Sequence, residues 1–173
     1  MSGSGKPARR KHTAIPPRPR LGARVAAVQA LFQSEAGSES AEAVIQQFVN
    51  HRLGEVPGEG GFEEGRVPQA DVQLFVAIVR AVARNAETLD PIVARHLGAG
   101  WTLERLDPVL RALLRAASAE MWGGADPPAR VVINEYMDVA HGFFDGAEPR
   151  FCNGVLDALA RHLRAEEFAA SGG

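Results

Sequence analysis

Apolar residues recur at helical spacing along most of the chain, and they predict its elements in turn. Val25, Val28, Leu31 and Phe32 follow a period near 3.6, which predicts a first helix over about residues 21–35. In SAEAVIQQFVNHRL, residues 40–53, Val44, Ile45, Phe48, Val49 and Leu53 form one stripe, with Ser40 placed to accept from the free N–H groups of a helix start. A Gly-rich acidic segment, 54–68, interrupts the pattern. Residues 69–87 then carry Val72, Phe75, Val76, Val79, Val82, Ala83 and Ala86 on one face, with Arg80 and Arg84 together on another. Three Asp-Pro pairs punctuate the second half of the chain: Asp90-Pro91, Asp107-Pro108 and Asp126-Pro127. An Asp side chain accepts from unpaired N–H groups, and proline is pre-set for a first helical turn. The pairs therefore predict helices over about 91–98, 108–122 and, after Pro128, 129–143. A last helix is expected over about 149–165, with Pro149 in its first turn. No stretch of six residues alternates as a strand would. The expected fold is all-α, a compact bundle of about seven helices.

Composition divides the chain into a basic arm and an acidic body. Among its 173 residues, the first thirty-four hold Lys6, Arg9, Arg10, Lys11, Arg18, Arg20 and Arg24 and no acid. The remainder carries the other 12 of 19 basic residues and all 21 acidic ones. Residues 1–20, rich in Gly, Pro and Ser, read as a disordered arm, 21–165 as the helical domain and 166–173 as a flexible tail. Clustered bases on an otherwise acidic protein point to a polyanion, because neutralising phosphates releases counterions; a solubilising tail is the alternative. Neither a secretory apolar segment nor a run of eighteen apolar residues is present. One cysteine, which allows no internal disulfide, suits a reducing cytoplasm.

Candidate chemistry is sparse. Cys152 shares a stripe with Leu156, Leu159 and Leu163, which makes it a core residue and not a nucleophile. Gly154 and Ala158 form a small-residue face suited to close helix approach, and Asn153, Asp157, Arg161 and Arg164 form the polar side, with Asp157 and Arg161 spaced as an ion pair. The five histidines, His12, His51, His96, His141 and His162, fall in no metal-binding spacing. There is no phosphate-cradling loop, dinucleotide fingerprint or serine elbow. The expectation is a binding protein with no catalytic residues, no metal and no cofactor.

Three segments together resemble the NusB family of bacterial transcription antitermination factors: ARVAAVQALFQSE at 23–35, LDPVLRALLRAASAEMW at 106–122 and PARVVINEYMDVAHGFFDGAEPRFCNGVLDALAR at 128–161. The resemblance implies two packed three-helix bundles and a non-catalytic role. It implies binding to the boxA element of ribosomal RNA leader transcripts together with NusE, a ribosomal small-subunit protein, alongside other Nus factors and RNA polymerase. By match of position, Arg20 and Arg24 correspond to arginines of the RNA-binding arm. Gln29 and Phe32 correspond to a Gln and an aromatic near the RNA, and Arg150 and Phe151 to a basic-aromatic pair across that surface. Departures include Leu21-Gly22 in place of further bases and Tyr136-Met137-Asp138 in place of Ala-[IV]-Glu. The alternative is a NusB-like domain related to rRNA cytosine methyltransferases, without their catalytic half. A homodimer that masks the RNA surface is a further assembly the family suggests.

Overall fold

The computed structural model describes residues 18–53 and 70–169. Seven α-helices lie within these residues: α1 (Pro19–Gly37), α2 (Ala41–His51), α3 (Val72–Arg95), α4 (Pro108–Trp122), α5 (Ala129–Phe143), α6 (Glu148–Leu163) and the short α7 (Ala165–Ala169). A single 3-10 turn, Leu103–Arg105, interrupts the link between α3 and α4. Helices α1–α3 pack as one three-helix group and α4–α6 as another, and the two meet chiefly where α1 and α3 lie against α4. No helix among the described residues is long and apolar enough to cross a membrane.

Helices α2 and α4 start at caps read from the sequence, Ser40 and Asp107, and α3 starts at a further cap, Asp71. Ser40 Oγ accepts from Ala43 N–H at 3.1 Å, and Asp71 Oδ1 from Leu74 N–H at 3.0 Å. Asp107 Oδ1 accepts from the N–H groups of both Val109 and Leu110. Each cap satisfies donors that a helix start leaves unpaired. Helix α1 closes on Ser38, in the left-handed region at φ 52°, whose N–H reaches back to the α1 carbonyls. Helix α5 receives its cap from outside, because the Glu167 carboxylate in α7 accepts from Ala129 N–H at 2.9 Å.

Helix α1 is central. Gly22, Ala23, Ala26, Ala27 and Ala30 are buried together with Val25 and Val28, so nearly every face of the helix meets protein. Small side chains let α2, α3, α4 and α5 all approach it, and a helix buried on all sides belongs in a core. Phe48 of α2 stacks on Phe75 of α3 with ring centroids 5.6 Å apart. Leu113 and Leu114 of α4, Tyr136 of α5 and Leu156 and Leu159 of α6 continue the same core without a break.

Several expectations are corrected. Asp90-Pro91 does not open a new helix, because α3 runs through it to Arg95. Proline there removes one backbone hydrogen bond. The flanking Leu89 and Val93 are both buried, and Asp90 pairs with Arg115 of α4 at 2.9 Å, so packing holds the two sides in line. Residues 18–20, expected at the end of the arm, already form the N-cap and first turn of α1. Residues 166–169 of the expected tail lie in α7, where Phe168 packs against the core and Arg130 and Arg161 lie over its ring. Arg164, read as part of a polar face, is buried and donates to the carbonyls of Glu120, Met121 and Pro127 and to Glu167. It fills the acceptor-rich C-terminal end of α4, where a cation is favoured. Gly154 is exposed, with open space where a side chain would stand, so no helix approaches it within the described chain. Asp157 and Arg161 do pair, at 3.0 Å.

Cys152 is fully buried, and burial pushes its thiol up to about 12. Alkylation by iodoacetamide at pH 8 is expected to be negligible in the native protein and rapid in denaturant. Fast native labelling would contradict the core position.

Candidate nucleic-acid interface

Three of the basic candidates within the described residues, Arg18, Arg20 and Arg24, gather at the start of α1, and the fold separates them. Arg18 is exposed, and its guanidinium bridges Glu135 and Asp138 of α5, each at 3.0 Å. Arg20 is exposed as well. Arg24, one turn further, is only 2% exposed. Its Nε and Nη2 donate to both carboxylate oxygens of Glu120, at 2.8 and 2.9 Å, and Nη1 donates to Glu135 at 3.3 Å. Burial alone would lower the Arg24 pKa; the hydrogen bonds and charge of Glu120 outweigh it and hold the pKa above its usual value. Tyr136 closes the site from α5, with Arg24 5.9 Å from its ring centre. Burial and the neighbouring Glu120 carboxylate together raise the Tyr136 pKa well above its usual value. Arg24, expected among the RNA contacts, has its guanidinium enclosed among acids at the junction of α1, α4 and α5. Lys6, Arg9, Arg10 and Lys11 lie outside the described residues.

Gln29 and Phe32 stand further along α1, about 14 and 18 Å from Arg20 at 1.5 Å per residue. They line one open hollow of about 580 Å³ together with Val28, Arg52, Val109 of α4 and Phe143 of α5. Phe32, expected on the inward stripe, is instead 40% exposed and offers ring surface to the hollow. The Arg52 guanidinium stands over the Phe48 ring, 4.7 Å from its centre, and brings a cation to the same hollow.

Arg150 and Phe151 lie in the first turn of α6. Arg150 is exposed, whereas Phe151 is half-buried with its ring centre 5.9 Å from that of Trp101. Phe151 lines a second hollow of about 300 Å³ with Trp101, Arg105 and Leu110. The start of α4 lies between the two hollows, since Val109 lines the first and Asp107 and Leu110 the second. The fold thus brings the Gln29–Phe32 pair and the Arg150–Phe151 pair to either side of one helix end, with Arg18 and Arg20 at the far end of α1. Trp101, Arg105 and Arg52 join these sites through tertiary contacts. Their positions in sequence, in a loop and at the end of α2, carry no periodic signal that would have grouped them with Phe32 or Phe151.

The profile described as NusB family matches residues 21–161. A transcription antitermination protein NusB of Granulibacter bethesdensis is 61% identical over 152 residues, covering 88% of this chain and 93% of its own. The protein of the same description from Gluconobacter oxydans is 49% identical and covers 91% of each. Among solved structures, T. maritima NusB superposes with a TM-score of 0.66 at 27% identity, over 88% of this chain and 98% of its own. A chain in a crystal structure described as a plectonemic RNA supercoil also gives 0.66, at 26% identity, over 84% of this chain and 96% of its own. The architecture is that of an α-helical bundle built around one shared core. The chain belongs to the NusB family of transcription antitermination proteins.

Removing a buried partner leaves an uncompensated charge. Arg24→Ala is expected to destabilise the fold by about 3–5 kcal/mol, and the exposed Arg20→Ala by no more than about 0.5 kcal/mol. Urea unfolding followed by circular dichroism measures both. Equal midpoints for the two variants would contradict the structural role given to Arg24.

Proposed function

We propose that this protein binds unpaired boxA-type RNA in the leader transcripts of ribosomal RNA operons, together with the small-subunit protein NusE. In company with other Nus factors, it helps RNA polymerase resist termination. The observation that carries the reading is the pair of hollows flanking the start of α4, each with aromatic surface and a neighbouring cation. Single-stranded RNA is recognised by stacking splayed bases on aromatic rings while guanidinium groups hold the backbone.

The arm and the hollows have different tasks. The bases of residues 6–20 attract phosphate over a long range, with little regard for sequence. Arg18 would exchange the carboxylates of Glu135 and Asp138 for a phosphate, a small cost because such surface pairs contribute about 0–1 kcal/mol. Gln29, Phe32, Arg150 and Phe151 supply stacking and hydrogen bonding, which discriminate among bases. Family membership supports the reading, as does the similar chain in a crystal described as an RNA supercoil. The alternative of a methyltransferase-related domain has weaker support, because the Granulibacter and Gluconobacter relatives match along nearly their whole length and are named as antitermination proteins.

A gel shift with boxA RNA, run with and without the NusE protein, tests the proposal. Binding is expected, and it is expected to tighten with NusE. Arg18→Ala with Arg20→Ala should weaken binding and reduce the slope of log affinity against log salt by about 1 for each phosphate no longer neutralised. Phe151→Ala should cost about 1–3 kcal/mol of binding, the scale of one stacked base, and less than that in folding stability, since the ring is only half-buried. Failure of the wild-type protein to bind boxA RNA in either setting would overturn the proposal. Loss of stability without loss of affinity in Phe151→Ala would remove that residue from the interface.

A further inference from the structure

We infer that Trp101 is a stacking platform for one unpaired base of the bound RNA, and that Glu148 selects a base bearing an exocyclic amino group. The inference rests on the RNA-binding reading above and adds to it a residue pair and a base preference.

Trp101 is 50% exposed and has its ring tilted by 50° against Phe151. At a centroid separation of 5.9 Å the two rings touch, so nothing fits between them. A base would stack on the open surface of the indole, with Phe151 supporting it from behind. Leu106 and Leu110 floor the hollow, and Arg105 stands at its edge. Among the described residues neither Arg105 nor Arg150 makes an ion pair, which leaves both able to hold phosphates on either side of a stacked base.

The loop that carries Trp101 is fixed before any ligand arrives. Gly98 and Gly100 take positive φ values of 94° and 83°, a conformation that disfavours other residues, and Trp101 N–H donates to Gly98 C=O at 3.3 Å. Arg105 donates to Gly100 C=O at 3.0 Å. From α4, Arg111 donates to the carbonyls of Leu103 and Leu106 at 2.8 and 3.2 Å. Leu103 and Leu106 are the buried anchors of the loop, so Trp101 is not needed to hold it. A rigid aromatic already in place binds without an ordering cost.

Two carboxylates line the hollow, and only one is committed. Asp107 caps α4 through its Oδ1. Glu148, in the first turn of α6, accepts no hydrogen bond among the described residues. A carboxylate repels phosphate and accepts from N–H donors. It therefore favours the amino groups of guanine, adenine or cytosine over uracil, which has none.

The test uses the full chain and a boxA-type RNA in which one nucleotide at a time is made abasic. Wild-type affinity should fall about tenfold or more at the stacked position, the scale of one stacked base. Trp101→Ala should show the same loss on intact RNA and no further loss at that one position, while Trp101→Phe restores most of it. With each of the four bases placed there, Glu148→Gln should flatten the preference for amino-bearing bases over uracil. Wild-type affinity for Trp101→Ala, or a loss spread evenly over all positions, would overturn the platform. An unchanged base preference in Glu148→Gln would overturn the selection. If the wild-type chain binds none of these RNAs, the RNA-binding reading itself fails, an outcome distinct from both.

Discussion

A guanidinium buried in a helix that is otherwise lined with alanine has to be paired, and that constraint organises this molecule. Arg24 lies where α1 enters the core, and its partners Glu120 and Glu135 belong to α4 and α5. The two-pronged bond to Glu120 fixes the rotation of α1 against α4 as well as its distance. The backbone carbonyl of the same Glu120 accepts from Arg164 of α6. One residue near the end of α4 is thus tied by its side chain to α1 and by its backbone to α6. Two buried arginines converge near the C-terminal end of α4: Arg24 joins the first three-helix group to the second, and Arg164 ties the end of α6 to α4 within the second.

The opposite end of α4 is held in another way and shows a different surface. There Asp107 caps the helix, and Arg111 reaches back to the loop carbonyls while also pairing with Glu35 of α1. Glu35 bridges Arg111 and Arg115, which hold its carboxyl below the usual range. With both ends fixed, α4 acts as a rod of about 22 Å by its fifteen residues. The rod presents Phe32 and its hollow on one side and Trp101 with Phe151 on the other. A surface fixed in this way would meet the proposed RNA strand without an ordering cost of its own.

Much of the architecture was legible in the sequence, because periodicity and caps are local. Ser40 and Asp107 mark their helix starts as read, and Cys152 lies in the core as its spacing requires. The failures share a physical cause. Asp90-Pro91 looks like a helix start, but Leu89, Val93 and the Arg115 pair carry α3 through it. Arg24 and Arg164 look like solvent-facing charges, because their acidic or carbonyl partners lie 37 or more residues away in the chain for all but Glu167. Phe32 fits an apolar stripe and yet faces outward, since α1 already buries its other faces against four helices. The pairing of Arg150 with Phe151 came from resemblance, whereas Trp101 beside Phe151 required the fold of the 98–107 loop.

The proposed RNA contact lies around the N-terminal end of α4, with the arm as a separate electrostatic contact. Photo-crosslinking of the wild-type chain to boxA RNA carrying 4-thiouridine, followed by mass spectrometry of the adducts, tests it most directly. Adducts are expected at Phe32, Trp101 and Phe151 and on the basic arm, with none at Arg24. Adducts concentrated instead on the outer face of α3, around Val76 and Arg84, or on α7 would contradict it.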